Sequence, residues 1–455
     1  MDIIIAGAGL VGESLAEQIS GEGHRVAVID RDRARIAYLR DNLDVLAVHG
    51  EATSAQALES AGVRHADMLI AVTNVDEVNL VVAMMASRLG VSRRIVRLRN
   101  REYLKLDSLV PLRDLGVNQV INPEPLMVDA LLHMMQIPGA SSFAKLADGH
   151  VVMIGFDIPS DSPLAGKSLE ALRRTDVPDS FLVLSIARGE RIWVPRGSDT
   201  IHPDDKVFVL VLEKQIALVS SVVQRSPKDV DRIIVSGASR LGRTLAAQAA
   251  GFVPKVFLLE PDEQLAEEAA NELDGVTVLF GRPTDLALLE EAGIEECDLF
   301  AAVSTDDQSN ILSALLAKKH SSTRAAVLVN QPDYVSVVDS LGVEIVLNPR
   351  LVAVSEILMH VRGGHVHAVT RLLEGGGAEI LEMEVADDSE AVNKPLRELD
   401  MPTDSIVGAV LRGNETEIPT GNTKLLPGDQ VLVFGLPATL PKVERLFAKK
   451  RMFRS

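Results

Sequence analysis

Short apolar runs alternate with helix-like segments through the first 121 residues of the chain. The runs are DIIIA, RVAVI, DVLAV, MLIAVT, RIVRL and NQVI. Strands that alternate with helices are typical of a parallel, doubly wound sheet, so we predict an α/β, Rossmann-like domain here. Asn122 and Asn348 each precede a proline and an apolar helical pattern. We expect them to cap helices that begin at Pro123 and Pro349.

The pattern changes after each of these helices to apolar strands separated by turns. In the first half of the chain the strands are VVMIGFDI, SFLVLSIARG, RIWV and DKVFVLVL. Short strands bounded by turn residues indicate a small α+β domain that follows the Rossmann-like domain.

The whole arrangement occurs twice, because four sequence blocks recur in the same order. The matching pairs are 3–18 with 233–248, 58–80 with 289–311, 115–124 with 341–350, and 193–210 with 417–434. Chance does not preserve the order of four blocks, so we predict a tandem duplication. The predicted domains are two Rossmann-like domains at 1–123 and 230–349 and two small α+β domains at 142–225 and 368–452. The polar segment QRSPKDVD (224–231) is the predicted linker between the repeats.

The first strand runs into Gly7-x-Gly9-x-x-Gly12, and Asp30 ends the next apolar run. In this context Gly7 permits a tight turn, Gly9 lets a pyrophosphate approach the backbone, and Gly12 lets helix and strand pack closely. The helix N-terminus adds free N–H groups and a positive dipole. Asp30 can accept hydrogen bonds from ribose hydroxyls and disfavours a 2′-phosphate, which favours NAD or an adenine nucleotide over NADP. The alternative is that the glycines serve packing alone.

More polar residues collect at the predicted carboxyl edge of the sheet, where ligands bind in folds of this class. Thr73 and Asn74 follow the fourth strand, and Arg97 and Arg99 share one face of the fifth. Two guanidinium groups suit phosphate oxygens. The alternative for the arginines is pairing with surface acids such as Glu77 or Glu102.

The second repeat carries an altered version of these residues. Ser239 stands where the first repeat has its second loop glycine, and its side chain intrudes where a phosphate would approach. Leu328 and Asn330 replace the two arginines, whereas Glu260 retains the acid and Arg240 restores some positive charge. We therefore expect a stronger polyphosphate site in the first repeat than in the second.

Composition narrows the possible functions. The chain has 64 acidic and 46 basic residues and a net charge of −18, which makes it a poor general binder of nucleic acid or anionic lipid. Its only cysteine is Cys297, so no internal disulfide forms. The MDIII start lacks the positive charge of a signal peptide, and no apolar run approaches the ~18 residues of a membrane span. These features predict a soluble, cytoplasmic protein.

The sequence shows no constellation typical of catalysis. The ten histidines are scattered, and the group His360, His365 and His367 offers too few ligands to predict a metal site. We therefore favour a nucleotide-binding protein that is not an enzyme. Two other classes remain open: an NAD-dependent oxidoreductase with two Rossmann units, and a scaffold whose nucleotide is structural.

The segments IIIAGAGLVG, GEAT, ADMLIAVTNVDEVNL and RLRNREY, followed by a small β-rich domain, resemble the RCK/KTN potassium-conductance regulators. The resemblance covers essentially the whole chain, and the tandem arrangement is its most specific part. It implies a cytoplasmic, nucleotide-responsive ring, a homotetramer, which is docked on a membrane potassium channel of the TrkH/TrkG type. It also implies that NAD(H) or ATP/ADP is bound and that no reaction is catalysed.

The resemblance carries the family's nucleotide positions onto both repeats. In the first repeat they are Gly7, Ala8, Gly9, Leu10, Val11, Asp30, Thr73, Asn74 and Arg97. In the second they are Gly237, Ala238, Ser239, Arg240, Leu241, Glu260, Ser304 and Thr305. Arg99 joins the first set by its predicted place on the fifth strand.

Overall fold

The computed structural model describes residues 1–104, 110–173, 181–189, 191–216, 230–321, 323–361, 366–371, 378–413 and 415–448. The chain divides into two compact units. Unit 1 comprises Met1–Leu126 and Arg350–Val361, and unit 2 comprises Met127–Pro349 and Arg362–Ser455. Most of the predicted linker, residues 224–229, lies outside the described residues.

Unit 1 is built on a parallel sheet of six strands. The strands are β1 (Asp2–Ala6), β2 (Arg25–Asp30), β3 (Leu46–His49), β4 (Met68–Ala71), β5 (Arg93–Arg97) and β6 (Gln119–Ile121). The main helices between them are α1 (Leu10–Gly21), α2 (Arg33–Asn42), α3 (Ala55–Ser60) and α4 (Asp76–Arg88). The sheet order β3-β2-β1-β4-β5-β6 is that of dinucleotide-binding folds, and all six predicted strands are present.

The first repeat continues into a five-stranded antiparallel sheet with the order β10-β9-β11-β8-β7. Its elements are α5 (Pro123–Gln136), β7 (Ala140–Leu146), β8 (Val151–Asp157), α6 (Leu169–Arg173), β9 (Phe181–Arg188), β10 (Arg191–Trp193) and β11 (Lys206–Leu212). Strand β7 was not predicted, because ASSFAKL has few strongly apolar positions. The predicted boundary at residue 142 therefore falls inside a strand.

The second repeat has the same order of strands. Its Rossmann-like part consists of β12 (Arg232–Ser236), α7 (Arg240–Ala249), β13 (Lys255–Glu260), α8 (Glu263–Glu272), β14 (Val276–Phe280), α9 (Leu286–Glu291), β15 (Leu299–Ala302), α10 (Asp307–His320), β16 (Arg324–Leu328), α11 (Pro332–Ser340) and β17 (Ile345–Leu347). Its small domain consists of α12 (Pro349–Val361), β18 (Val366–Arg371), β19 (Glu379–Glu384), β20 (Ser405–Arg412), β21 (Glu415–Glu417), β22 (Gln430–Gly435) and α13 (Leu440–Phe447). The two sheets have the orders β14-β13-β12-β15-β16-β17 and β18-β19-β22-β20-β21.

The helices that follow the two Rossmann-like sheets begin where the sequence predicts. Helix α5 starts at Pro123 and α12 starts at Pro349. The amide of Glu124 donates a hydrogen bond of 3.3 Å to Oδ1 of Asn122, which is the expected contact of a helix-capping asparagine.

Apolar side chains cover both faces of the sheet in unit 1, which explains its continuous hydrophobic runs. Ile3 and Ile5 of β1 pack into the core on one face, and Ile4 packs into the core on the other. Helix α12, which belongs to the second repeat by sequence, contributes Val354 and Ile357 to the core that contains Ile3 and Ile5. The first sheet is therefore completed by a helix from the second repeat.

Two equivalent arginines hold the exchanged helices. In unit 1, Nη1 of Arg93 donates to the carbonyl oxygen of His360 in α12 over 3.4 Å. In unit 2, Nη1 of Arg324 donates to the carbonyl oxygen of Met134 in α5 over 2.9 Å. A cation near the C-terminal carbonyls of a helix also complements the helix dipole. Each helix is thus fixed to a Rossmann-like sheet of the other repeat.

The two small domains share a hydrophobic core within unit 2. Leu184 and Phe208 of the first small domain belong to the same cluster as Ile380 and Phe434 of the second. A Cβ on Gly408 would lie 3.2 Å from a methyl group of Leu184, so the absence of a side chain permits this close packing.

Candidate functional site

The loop between β1 and α1 is the centre of the site. Gly7 adopts a φ of +109°, and a Cβ at this position would lie 3.0 Å from the amide nitrogen of Thr73. A Cβ on Gly12 would lie 1.8 Å from the carbonyl oxygen of Gly7. Backbone geometry therefore requires glycine at both positions.

Gly9 differs from the other two glycines, since a side chain there would meet no backbone atom closely. The atom nearest to a Cβ built on Gly9 is Nη1 of Arg35, at 3.7 Å. Gly9 is also the N-cap of α1, and no side chain caps this helix. An uncapped helix N-terminus beside a cation is a suitable environment for a phosphate. Sequence reasoning missed Arg35, although its position shortly after Asp30 in DRDRAR was a usable signal.

Asp30, at the end of β2, holds this loop in place. Its Oδ2 accepts a hydrogen bond of 2.6 Å from the amide of Ala8, and its Oδ1 accepts one of 2.8 Å from the amide of Asp32. A carboxylate has lone pairs beyond these two bonds, so Asp30 retains the capacity to accept from sugar hydroxyls.

The residues after β4 are organised by a buried asparagine that sequence reasoning did not single out. Oδ1 of Asn79 accepts hydrogen bonds from the amide of Thr73 (3.0 Å) and from its hydroxyl (2.6 Å). Asn74 is exposed beside it. Asn79 recurs as Asn310 within the repeated blocks 58–80 and 289–311, which was a signal that could have identified it.

Arg97 ends strand β5, and Arg99 follows the strand instead of lying within it. Nε of Arg97 is buried and has no hydrogen-bond partner among the described residues. Burial, together with the nearby charge of Arg99, lowers the pKa of Arg97 to about 10. Glu77, the acid considered as an alternative partner, instead accepts a hydrogen bond from the hydroxyl of Tyr103 over 2.9 Å. The structure therefore holds two guanidinium groups close together at the carboxyl edge of the sheet.

The equivalent loop of the second repeat is closed by its own side chain. Oγ of Ser239 accepts from the amide of Gly242 over 3.1 Å and donates to the carbonyl oxygen of Val303 over 2.6 Å. This hydroxyl uses one of the helix N–H groups that a phosphate would need. Leu328 is buried, and the side chain of Asn330 donates to Asp307 over 2.9 Å. These residues supply no cation at the position of the two arginines.

The other predicted residues of the second repeat keep the local arrangement of the first. Glu260 accepts from the amides of Ala238 (2.5 Å) and Asp262 (3.0 Å), as Asp30 does in its own loop. The hydroxyl of Ser304 donates to Oδ1 of Asn310 over 2.7 Å. The remaining predicted positions are Gly237, Arg240, Leu241 and Thr305 in the second repeat and Leu10 and Val11 in the first. Of these, Arg240, Thr305 and Leu10 are exposed.

The described residues contain no group of three or more His, Cys, Asp or Glu side chains arranged to hold a metal ion. Burial raises the pKa of the Cys297 thiol to about 11, which makes it a poor nucleophile. Among the helices that the structure describes, none is long and apolar enough to cross a membrane.

The architecture is similar to that of solved GsuK structures. The crystal structure of the GsuK RCK domain superposes with a TM-score of 0.61 at 18% identity, covering 98% of this chain and 94% of that chain. The GsuK channel bound to NAD gives a TM-score of 0.61 at 17% identity, covering 98% of this chain and 78% of that chain. These similarities establish the fold.

Sequence comparison identifies the family. Residues 3–123 and 233–349 match the TrkA-N domain, and residues 153–224 and 380–448 match the TrkA-C domain. The Trk system potassium uptake protein TrkA of Halomonas elongata is 33% identical over 455 residues, covering 98% of each chain. The TrkA homolog of Archaeoglobus fulgidus is 32% identical over 447 residues, covering 98% of this chain and 100% of its own. The chain therefore belongs to the TrkA family of Trk-system potassium-uptake proteins.

Proposed function

We propose that this protein is a nucleotide-sensing regulatory subunit that gates a membrane potassium-uptake channel from its cytoplasmic side. It binds NAD(H), ATP or ADP and catalyses no reaction. Its relatives are named as potassium uptake proteins of the Trk system, and a protein of similar fold is described as a channel bound to NAD. The names of these proteins support a role in potassium uptake, and the chemistry of the first repeat supports a nucleotide as the ligand.

One observation carries the ligand class: an uncapped helix terminus lies on the same sheet edge as an arginine with a buried, unpartnered Nε among the described residues. Gly9 leaves the N-terminus of α1 without a side-chain cap, and Nε of Arg97 has no hydrogen-bond partner in the part of the chain that the structure describes. Strand β4 separates β1 from β5, so the two features are about 10 Å apart, which a nucleotide can span. Burial and the charge of Arg99 disfavour the charged form of Arg97 more than the nearby Glu124 and Asp76 favour it. A further anion would therefore be stabilised there. A polyphosphate supplies that anion.

The predicted residues of the first repeat then divide the contacts to the nucleotide among them. Amides of the loop around Gly9 contact the phosphates, and Asp30 accepts from the ribose of the adenosine. Arg97 and Arg99 contact the terminal phosphate, where ATP and ADP differ. Thr73 lines the crevice between the two strands. Because the second repeat has lost the glycine and both arginines, its site is weak or empty.

Gating requires that the ligand bind the two states of the protein with different affinity. We infer that the nucleotide bridges the first loop and β5 and thereby reorients the helix that begins at Pro123. That helix continues into the small domain of the first repeat and transmits a rotation to the channel. ATP and a dinucleotide place their charges differently relative to Arg97. This placement supplies the required difference in affinity for the two states.

Exposed apolar helix faces support assembly into a homotetramer. Val81 and Met84 of α4 are 42% and 44% exposed. Leu312 of α10, which is the counterpart of Val81 in the second repeat, is 53% exposed. Apolar patches at the same place in both repeats suit self-association. The channel partner is a TrkH/TrkG-type subunit, and docking on it gives the protein a peripheral position on the inner face of the membrane.

Purification of the complex from native membranes tests the partner, and calorimetry on the intact chain tests the ligand. We expect a potassium channel subunit to copurify and the protein to leave the membrane fraction when that subunit is deleted. We expect one strong adenine-nucleotide site per chain. A wild-type protein that binds neither NADH, ATP nor ADP would refute the proposal, as would sustained oxidation of NADH with a simple carbonyl substrate.

A further inference from the structure

Arg350 belongs to the second repeat by sequence but to unit 1 by packing. Its Nε donates a hydrogen bond of 2.8 Å to Oγ of Ser14 in α1, and its Nη2 donates to the same oxygen. Ser14 is 6% exposed, so the contact is made below the surface of the domain. Because Ser14 lies one turn beyond Leu10, the guanidinium is held about 6 Å along the axis from the start of α1.

The docking of α12 on α1 fixes this position. Val354, near the start of α12, belongs to the same core as Val11 and Leu15 of α1. The first turn of α12 therefore lies beside the first two turns of α1. At the other end of α12, Arg93 holds the carbonyl of His360. The helix is anchored at both ends, and one anchor lies next to the loop that is proposed to hold phosphates.

The charge at this anchor is unusual for a helix start. Arg350 occupies the first turn of α12, where the dipole disfavours a cation, and its side chain extends to the N-terminal part of α1, where the dipole is also positive. The same position would suit Glu or Asp if the helix alone determined the choice. An anion bound at the N-terminus of α1 makes a cation at position 350 favourable, because the anion attracts the Arg350 guanidinium.

The residues at the matching sequence positions of the other repeat carry no such cation. The counterpart of Arg350 is Glu124, and the counterpart of Ser14 is Thr244. The hydroxyl of Thr244 donates to the carbonyl oxygen of Arg240 in its own helix over 2.8 Å. An acid at the Arg350 position would repel phosphate. Like the loss of the loop glycine and of both arginines from the second repeat, this charge difference favours phosphate binding in the first repeat.

We propose that Arg350 is a phosphate-sensing residue of the first nucleotide site, supplied by the second repeat. It strengthens binding of ligands in proportion to their phosphate charge, and the bound phosphates in turn stabilise the docking of α12 in unit 1. By linkage, the two effects are equal in free energy. This inference rests on the proposed function, because it requires the first site to bind nucleotides.

Calorimetric titration of the intact chain with AMP, ADP and ATP tests the proposal. In the wild type we expect affinity to rise with each added phosphate. Arg350→Gln should lower ADP affinity by roughly three- to thirtyfold, as expected for a unit charge at this range, and should lower ATP affinity more than AMP affinity. Arg350→Lys, which keeps the charge, should preserve most of the rise from AMP to ATP.

Arg93→Gln is the matched control, because it removes an arginine from the opposite end of the same helix. It should loosen α12 without changing the dependence of affinity on phosphate number. Hydrogen exchange of residues 349–361 gives the reciprocal readout: ADP should increase protection in the wild type and in Arg93→Gln but not in Arg350→Gln.

Two results would overturn the inference while leaving the proposed function intact. One is an unchanged dependence on phosphate number in Arg350→Gln. The other is an equal loss of that dependence in Arg93→Gln, which would show that helix docking alone matters. A wild-type chain that binds none of the three nucleotides would instead refute the proposed function, and this inference with it.

Discussion

Asn79 hydrogen-bonds to the main chain of Arg97: its Nδ2 donates to the carbonyl oxygen of Arg97 over 2.9 Å. The same side chain accepts two hydrogen bonds from Thr73 at the end of the neighbouring strand. Asn79 is fully buried, so it fixes the ends of β4 and β5 relative to each other. Asn310 makes the equivalent contact with the carbonyl of Leu328 over 3.0 Å in the second repeat.

This duplication provides a pair of variants that separate stability from binding. Asn79→Ala and Asn310→Ala should each destabilise the protein, since each leaves buried groups unsatisfied at a cost of about 1–3 kcal/mol per group. Only Asn79→Ala should weaken ADP binding, by roughly tenfold, because only the first repeat presents Arg97. Thermal melting and calorimetry measure the two effects. Equal losses of ADP affinity in both variants would contradict the assignment of the ligand to the first repeat.

The difference between the two loops predicts the effect of exchanging their central residue. Gly9→Ser should reduce nucleotide affinity at least tenfold, because the new hydroxyl would cap α1 as Ser239 caps α7. Ser239→Gly should change helix stability by a few tenths of a kcal/mol and should not create a strong site, since Leu328 and Asn330 remain. Calorimetry on the two intact variants measures the nucleotide affinity and the number of strong sites per chain. A Gly9→Ser protein with wild-type affinity would exclude the loop as the phosphate site.

Asp30→Ala should weaken NADH and ATP together, because both ligands contain the adenosine ribose. Loss of a charge-assisted hydrogen bond is worth about 1.5–3 kcal/mol, or roughly ten- to a hundredfold in affinity. The variant also frees the amide of Ala8, which Asp30 now accepts from. Glu260→Ala removes the same loop contact in the second repeat and serves as the control. Unchanged affinity for both ligands in a folded Asp30→Ala protein would show that Asp30 does not contact the ribose.

Glu356 in α12 gives unit 1 a dependence on pH. Its Oε2 is buried without a partner among the described residues, and burial raises its pKa to about 7. An unfolded glutamate has a pKa of about 4.3, so the folded state binds the proton more tightly. The stability due to the neutral carboxyl is therefore complete below about pH 4.3 and is lost as the pH rises through 7.

The glutamine in Glu356→Gln is neutral at every pH. This variant should therefore not lose stability as the pH rises through 7. At about pH 8 the substitution should raise the free energy of unfolding by up to about 3 kcal/mol, whereas at about pH 4.5 it should have little effect. Denaturant unfolding monitored by hydrogen exchange of residues 349–361 compares the two conditions. An effect of equal size at both pH values would show that the carboxyl does not titrate in this range.

The sequence allowed the Rossmann-like elements to be predicted because their signals are local. The apolar runs mark strands, and Gly7 and Gly12 mark a turn that their backbone geometry confirms. Strand β7 escaped prediction because ASSFAKL lacks the alternating apolar pattern on which strand prediction depends. Asn79 escaped because a polar residue within a helical pattern looks like a surface residue, although it is fully buried.

The exchange of α12 could not be predicted, because it depends on contacts between segments far apart in the sequence. Nothing local to Val354 indicates that it belongs to the same core as Val11 and Leu15. The exchange has a practical consequence, since a fragment that ends near residue 225 lacks α12 and exposes part of the first core. The nucleotide sites must therefore be compared in the intact chain and not in separated repeats.

We propose that nucleotides bound by the first repeat control potassium flux through a channel partner. The most direct test measures flux through the reconstituted channel with the intact protein, titrated with ATP and with ADP. We expect different responses to the two ligands in the wild type. In the Arg97→Ala, Arg99→Ala variant we expect matching responses, because the ATP/ADP affinity ratio falls toward one. Wild-type flux that is the same with ATP, with ADP and without nucleotide would contradict this proposal.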